Sequence, residues 1–221
     1  HDEAIALQTA IGPEVNADRY TAAAAPTVTG GDVVVFIDGL RLDIAHRLEA
    51  RLESIGLHTD LTTSFAALPT ITKTAKPVLV PIDQAQLTAG EQLDARRAPD
   101  GPSAGGEVLR SLMATAGIQV LMGDALGDPG GTAWTETGEI DKRGHALGVD
   151  LVDELDNQII RIANRIRELA VAGWQRVTVV TDHGWLLLPN GLVKNESLPL
   201  AVTVKKKGRC ARVQPGAHLE T

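Results

Sequence analysis

Aromatic residues, cysteines and long apolar runs are all scarce in this chain of 221 residues. Aromatics make up only 3% of it, so the core must be built from Leu, Val, Ile and Ala, which favours buried parallel strands covered by helices. The single cysteine, Cys210, cannot form an internal disulfide, which fits a reducing compartment. No stretch approaches the roughly 18 apolar residues of a membrane helix, and no N-terminal signal pattern is recognisable. We therefore expect a cytoplasmic protein without membrane association.

Positive charge is also in short supply, because the formal net charge is −7. Nucleic-acid binding draws most of its affinity from Lys and Arg, so nucleic acid is not indicated as a partner. The densest basic run, residues 205–209, follows the last predicted strand at residues 200–204. We interpret that run as a solvated edge or turn rather than as an anion-binding site.

The length and composition predict one globular domain preceded by an arm. Apolar residues make up 43% of the chain and charged residues 22%, which is typical of soluble folded proteins. Residues 1–31 contain an alanine run and end in Gly30-Gly31, which predicts an arm or linker, and residues 32–221 are predicted to form the domain. Because the chain begins with His1 rather than methionine, we expect it to be excised from a longer protein.

Apolar periodicity predicts alternating strands and helices. Unbroken apolar runs indicate strands buried on both faces, and apolar residues at helical spacing indicate amphipathic helices. We predict strands at residues 33–37, 57–62, 118–122 and 177–181, helices at 42–56, 107–116 and 147–169, and a loop at 123–140. This alternation predicts an α/β fold with three layers, in which a mostly parallel sheet has helices on both faces.

Acidic residues and histidines cluster where strands and loops end. Asp38 closes the first strand, Asp182-His183 closes the strand at 177–181, and Asp141 precedes His145 by four positions. Three carboxylates and two imidazoles form a mixed oxygen and nitrogen set that suits zinc or manganese. Each pattern taken alone is also common in ordinary turns and helix entries, so their order along the chain carries the interpretation.

That order resembles the nucleotide pyrophosphatase/phosphodiesterase branch of the alkaline phosphatase superfamily. The matching elements are an apolar strand with Asp38-Gly39, the Pro-Thr-x-Thr segment Pro69–Thr72, the Asp-x-x-Gly-His segment Asp141–His145 and the strand followed by Asp182-His183-Gly184. The resemblance implies an alkaline-phosphatase-like three-layer fold that binds two divalent metal ions, with zinc expected and manganese as the alternative.

A closer resemblance is to the PglZ domain. Its pattern is similar to Ile37–Arg41 with Asp43, to Leu68-Pro69-Thr70 and to Thr181–Trp185. PglZ domains occur in bacterial phage-defence (BREX) systems and in some response regulators, where they are regarded as phosphatase-like or phosphodiesterase-like. The resemblance thus implies a phosphate ester as substrate, with a nucleotide-derived ester as one option, and other defence-system proteins as partners.

The resemblance also assigns the metal ligands. It implies that Asp38, Asp182 and His183 hold one ion, and that Asp141 and His145 hold the other. The second ion usually has a third ligand, a histidine near the C-terminus. His218 is the candidate for that position, and without it the second site would be open and weak.

The nucleophile implied by the resemblance is Thr72, whose hydroxyl would bridge both ions, with Thr70 as the rival. Metal coordination is a recognised way to activate such a hydroxyl. The expected course is a covalent phosphothreonine followed by attack of water. Lys73 and Lys76 could bind phosphoryl oxygens, although each could equally be a solvated loop lysine. The alternative for the whole segment is a Pro-flanked loop whose hydroxyls bond to its own backbone.

We therefore expect a two-metal phosphodiesterase or phosphatase with a threonine nucleophile, acting as the PglZ component of a phage-defence system. The alternative is a catalytically weak or inactive metal-binding scaffold or sensor within a defence or signalling complex. A manganese-dependent mutase of the same superfamily is disfavoured, because no second metal-binding insertion domain is recognisable in the sequence.

Overall fold

Strands and helices are interspersed along the described residues, often two of a kind in succession. The computed structural model describes residues 25–64, 66–185, 203–207 and 210–214. The elements in these ranges are β1 (Asp32–Phe36), α1 (Leu42–Ser54), α2 (Thr72–Leu79), β2 (Leu87–Ala89), β3 (Ala95–Arg97), α3 (Gly106–Thr115), β4 (Ile118–Leu121), β5 (Thr132–Glu136), α4 (Ile140–Leu147), α5 (Leu151–Val171), β6 (Arg176–Val180), β7 (Thr203–Lys207) and β8 (Cys210–Val213).

The main sheet has four strands in the order β4-β5-β1-β6. All of its pairings are parallel, and β1 is paired with β5 on one side and with β6 on the other. The strands therefore end at the same edge, and the loops that follow them lie together there. Two short antiparallel pairs, β2 with β3 and β7 with β8, are separate from this sheet.

Helices pack on both faces of the sheet. Val33 and Val35 of β1 point to one face, where they pack with apolar residues of α1 and α5, and Val34 and Phe36 point to the opposite face, toward α3 and the β2–β3 hairpin. Alternate residues of a strand face opposite sides, so an unbroken apolar run is what a strand covered on both sides requires. The predicted α/β architecture with a mostly parallel sheet flanked by helices is confirmed.

Two sequence predictions about the elements were wrong. Residues 57–62 form no strand, and the predicted loop at residues 123–140 contains β5. The position beside β1 is taken by β5, whose central residues Ala133, Trp134 and Thr135 are all buried. Residues 57–62 thus have no place in the sheet, and Leu57 only packs partly buried against the core.

The predicted long helix at residues 147–169 forms, but it begins at Leu151 and a separate helix precedes it. α4 ends at Leu147, and Gly148 has a positive φ of 57°, which breaks the helical path before α5 begins at Leu151. The lysines of the basic run also lie differently from the prediction, because residues 205–207 belong to β7 rather than following a strand.

None of the helices in the described ranges has the length and hydrophobicity that crossing a membrane requires. Residues 1–24 of the predicted arm, and His218, lie outside the described residues.

Candidate active site

Two neighbouring strands deliver the first acidic residues of the site. Asp38 follows the end of β1 by two positions, and Asp182 follows the end of β6 by two positions. Because β1 and β6 are adjacent and parallel, both carboxylates emerge at the same edge of the sheet. His183 comes next in the chain, and its Nε2 lies 3.4 Å from Asp38 Oδ1 and 3.6 Å from Asp182 Oδ2.

The turn after β1 is held against the loop after β6. The backbone N–H of Gly39 donates to Asp182 Oδ1 at 3.4 Å, and the N–H of Leu40 donates to Thr181 Oγ1 at 3.0 Å. Gly39 has a φ of +71°, and a Cβ at this position would lie 3.1 Å from the Asp141 Cβ. Glycine is thus required here both for the left-handed backbone and for the close approach of α4. This approach brings Asp141 into the site.

Arg41 and Trp185 close the outer side of the same turn. The Trp185 indole N–H donates to the Gly39 carbonyl oxygen at 2.8 Å, and the Arg41 guanidinium lies 4.0 Å above the Trp185 ring. Arg41 also pairs with Asp43 at 2.5 Å. These contacts fix the loop that carries Asp38, so Arg41 has a structural role.

Thr72 is the threonine that reaches the acidic residues. It is the first residue of α2, and its Oγ1 lies 3.2 Å from His183 Nε2 and 3.5 Å from Asp38 Oδ1. Thr70 is exposed. Thr74 is buried, and its hydroxyl donates to the Leu93 carbonyl oxygen at 2.9 Å. Thr72 is therefore the nucleophile candidate that the geometry favours over Thr70.

The hydrogen bond at Nδ1 of the His183 ring determines which of the two ring nitrogens carries the proton. Nδ1 lies 3.0 Å from the carbonyl oxygen of Gly184, which can only accept, so Nδ1 carries the proton. In the neutral ring, Nε2 then presents its lone pair to Thr72 and Asp38. A backbone carbonyl that fixes the tautomer in this way is the usual support of a metal-binding histidine.

The carboxylates of the site lie close together, and the positive charge beside them is not enough to balance theirs. We call Asp38, Asp141 and Asp182 the carboxylate cluster. Burial, with the neighbouring charges of Asp182 and Asp141, raises the pKa of Asp38 to about 6, and burial raises the pKa of Asp182. Asp182 Oδ2 is buried, and no hydrogen bond from the described residues reaches it. Such a buried carboxylate oxygen calls for a cation.

The donor atoms of Asp38, Asp141 and His183 all lie within 4.8 Å of one another, close enough to share one metal ion. The family resemblance implies a different ion for Asp141 than for Asp38 and His183. His145 lies at the margin, where its Nε2 is 3.4 Å from Asp141 Oδ2 and its side chain is 82% exposed. The structure thus brings together Asp38, Thr72, Asp141, Asp182 and His183, with His145 beside them.

A cleft of about 240 Å³ opens next to the cluster. Asp38 and Asp141 line it together with Phe36, Glu136, Thr137, Gly138, Glu139 and Lys142. Lys76 pairs with Glu136 at 2.7 Å, whereas Lys73 is exposed, and no hydrogen bond or ion pair joins it to the described residues. The sequence interpretation did not identify Glu136 and Glu139 as cleft residues. Glu136 is the last residue of β5 and Glu139 comes soon after it, and that strand was not predicted. The signal was Thr-Ala-Trp-Thr between Gly130-Gly131 and Gly138, a β-favouring run between turn residues.

The fold and the site together define an α/β protein with a carboxylate and histidine cluster at the carboxyl edge of a parallel sheet. Comparison of this chain with protein-family models, with curated proteins and with solved structures found no match.

Proposed function

We propose that this protein is a metal-dependent phosphoester hydrolase that uses Thr72 as its nucleophile. The observation that carries this proposal is the position of Thr72 Oγ1, which is 3.2 Å from His183 Nε2 and 3.5 Å from Asp38 Oδ1. A hydroxyl that contacts both an imidazole and a carboxylate beside further acidic groups is poised for activation. The cleft that Asp38 and Asp141 line has room for an ester.

The order of motifs along the chain supports a more specific proposal. The resemblance to PglZ domains and to the alkaline phosphatase superfamily rests on Asp38-Gly39, Thr72, Asp141–His145 and Asp182-His183, and these residues are the ones that meet at the sheet edge. On this basis we assign the α/β fold to the alkaline-phosphatase-like class. A role in bacterial phage defence, alongside other defence proteins, follows from the same resemblance.

Asp38, Asp141 and His183 lie close enough to share one ion, and from the resemblance we propose a pair of divalent cations, with zinc favoured and manganese as the alternative. Asp38, Asp182 and His183 would hold one ion, and Asp141 with His145 would hold the other, Asp141 being close enough to contribute to both. Such cations supply Lewis-acid stabilisation of the hydroxyl and of the charge on the phosphoryl group.

The protein's own groups provide orientation and proton transfer. Thr72 stands at the first position of α2, where the positive end of the helix dipole favours an approaching phosphoryl group. The Thr72 proton has Asp38 Oδ1 as an acceptor at 3.5 Å, since His183 Nε2, at 3.2 Å, would be occupied by the ion. Attack of Oγ1 on phosphorus forms a phosphothreonine and breaks the bond to the alkoxide, which takes up the proton removed from Thr72 and leaves as the alcohol. Attack of water on phosphorus then breaks the phosphothreonine bond, releases the phosphoryl group as phosphate or as a phosphomonoester, and returns a proton to the Thr72 hydroxyl.

The test uses the metal-loaded protein with an aryl phosphodiester and an aryl phosphomonoester. We expect hydrolysis by the wild type, a loss of at least about a thousandfold in Thr72→Ala, and partial recovery in Thr72→Ser, which restores a hydroxyl. Thr70→Ala is the matched control and should retain activity, since Thr70 is exposed. Metal content is measured by mass spectrometry on every variant.

The same experiment separates this proposal from the scaffold alternative. Metal bound in wild type and variants, with no turnover of either ester, favours a binding module. Equal activity of Thr72→Ala and wild type refutes the proposed nucleophile. An activity lost in Thr70→Ala but kept in Thr72→Ala transfers the role to Thr70.

A further inference from the structure

The cations that border the site are already paired with carboxylates. These pairs are Lys76 with Glu136 at 2.7 Å, Lys142 with Glu139 at 2.8 Å, Arg143 with Glu154 at 3.2 Å and Arg41 with Asp43 at 2.5 Å. Lys73, exposed, lies one residue beyond Thr72 and makes no such pair in the described ranges. The walls of the cleft thus contribute little uncompensated positive charge.

Among these pairs, Lys76–Glu136 is the one best placed to act on a substrate. Lys76 lies four residues after Thr72 on α2, so the two side chains share a face of the helix, about one turn apart. Its side chain is only 17% exposed, and its ammonium lies 4.6 Å above the Phe36 ring. Glu136, like Asp38, lines the cleft.

Glu136 is itself fixed in place. It is the last residue of β5, and its Oε1 accepts a hydrogen bond from the Trp134 indole at 3.3 Å while its Oε2 binds Lys76. The Lys142–Glu139 pair on the same cleft differs, because the Lys142 side chain is 80% exposed. An ammonium so exposed is well solvated whether or not its partner is present.

We propose that Glu136 sets the charge preference of the site by neutralising Lys76, so that singly charged phosphodiesters are preferred over phosphomonoesters. This inference rests on the proposed function. A phosphomonoester carries close to two negative charges at neutral pH, and a diester carries one. A cation close to Thr72 would favour the second charge, and Lys76, about one helical turn from Thr72, is paired with Glu136 instead.

The experiment compares kcat/KM for an aryl phosphodiester and the matching aryl phosphomonoester, in metal-loaded protein. We expect the wild type to favour the diester. Glu136→Gln should free Lys76 and shift the ratio toward the monoester by about tenfold. Glu136→Gln combined with Lys76→Met should lose that shift, because the freed ammonium is then absent. Glu139→Gln is the matched control and should leave the ratio unchanged.

Binding of inorganic phosphate, measured by titration calorimetry, gives a second readout that needs no turnover. Glu136→Gln should bind phosphate several-fold more tightly than wild type, and Glu139→Gln should not. A wild type that prefers the monoester overturns the inference, and so does an unchanged ratio and phosphate affinity in Glu136→Gln. Both of those results leave the hydrolase itself intact. Absence of hydrolysis of either ester by the metal-loaded wild type refutes the proposed function instead.

Discussion

Asp38 should make the metal-free protein less stable at neutral pH than at acidic pH. Burial and the charges of Asp182 and Asp141 raise the pKa of its carboxyl from 3.8 to about 6. The folded state therefore favours the protonated form. The resulting stabilisation is fully present below the unfolded pKa and is lost as the pH rises through the folded pKa.

The magnitude follows from these two pKa values. The difference between 3.8 and about 6 corresponds to about 3 kcal/mol of unfolding free energy. Because the Asp38 side chain is 36% exposed, solvent screens the interaction, and we expect about 1 to 2 kcal/mol above pH 6. Asp38→Asn removes the charge and keeps the shape. It should therefore stabilise the metal-free protein by that amount near pH 7.5, and by less near pH 4.5.

Denaturant unfolding of chelator-treated protein measures this difference, with tryptophan fluorescence as the signal, since Trp134 and Trp174 are buried. Asp43→Asn is a control of opposite sign, because hydrogen bonding to Arg41 lowers the pKa of Asp43. It should destabilise the protein at neutral pH, and less so as the pH falls through the depressed pKa. Added zinc should stabilise the wild type by mass action and Asp38→Asn much less. The reasoning fails if Asp38→Asn is destabilising near pH 7.5, or if its effect is the same at both pH values.

Three further predictions concern the turn, the second ion and the core. Gly39→Ala should cost about 1 to 2 kcal/mol for its positive φ, and should also weaken zinc binding in calorimetry by displacing the carboxylate cluster. Gly56→Ala, also at positive φ but with nothing near a new Cβ, should cost stability without changing zinc affinity. His145→Ala should lower the metal content, measured by mass spectrometry, from two ions to one per chain, and an unchanged ratio would remove it as a ligand. Ile162→Ala, fully buried, should lose about 2 to 5 kcal/mol in denaturant unfolding, and Ile160→Ala, 41% exposed, less than about 1.

The elements with strong periodicity could be predicted from sequence, and the weaker ones could not. β1 is mostly apolar and β6 is rich in valine, each is followed two positions later by an aspartate, and α5 repeats its apolar residues over many turns. β5 was missed because its sequence, Thr-Ala-Trp-Thr-Glu, has a single large apolar residue. β5 belongs to the sheet because it pairs with β1, and a local sequence pattern does not reveal pairing between residues so far apart in the chain.

The site shows the same limit at the level of side chains. Asp38, Asp182 and His183 could be placed together because parallel strands end at one edge. The sequence left both Thr70 and Thr72 as candidate nucleophiles. The structure distinguishes them, because α2 begins at Thr72 and directs that side chain toward His183. The sequence also could not show which ligands share an ion, because that depends on how closely α4 approaches the turn at Gly39.

The charge arrangement around Asp38 argues that the cluster serves a ligand rather than the fold. Burial makes the charges of Asp38 and Asp182 costly, and Asp182 Oδ2 is left without a hydrogen bond from the described residues. A cluster that served stability would draw in the ammonium of Lys76, which is the partly buried cation on α2. That ammonium is held instead by Glu136, from another strand. The negative charge at the sheet edge is thereby left free for the cations that we propose, and we expect the same ion pair to limit the charge of an ester bound beside them.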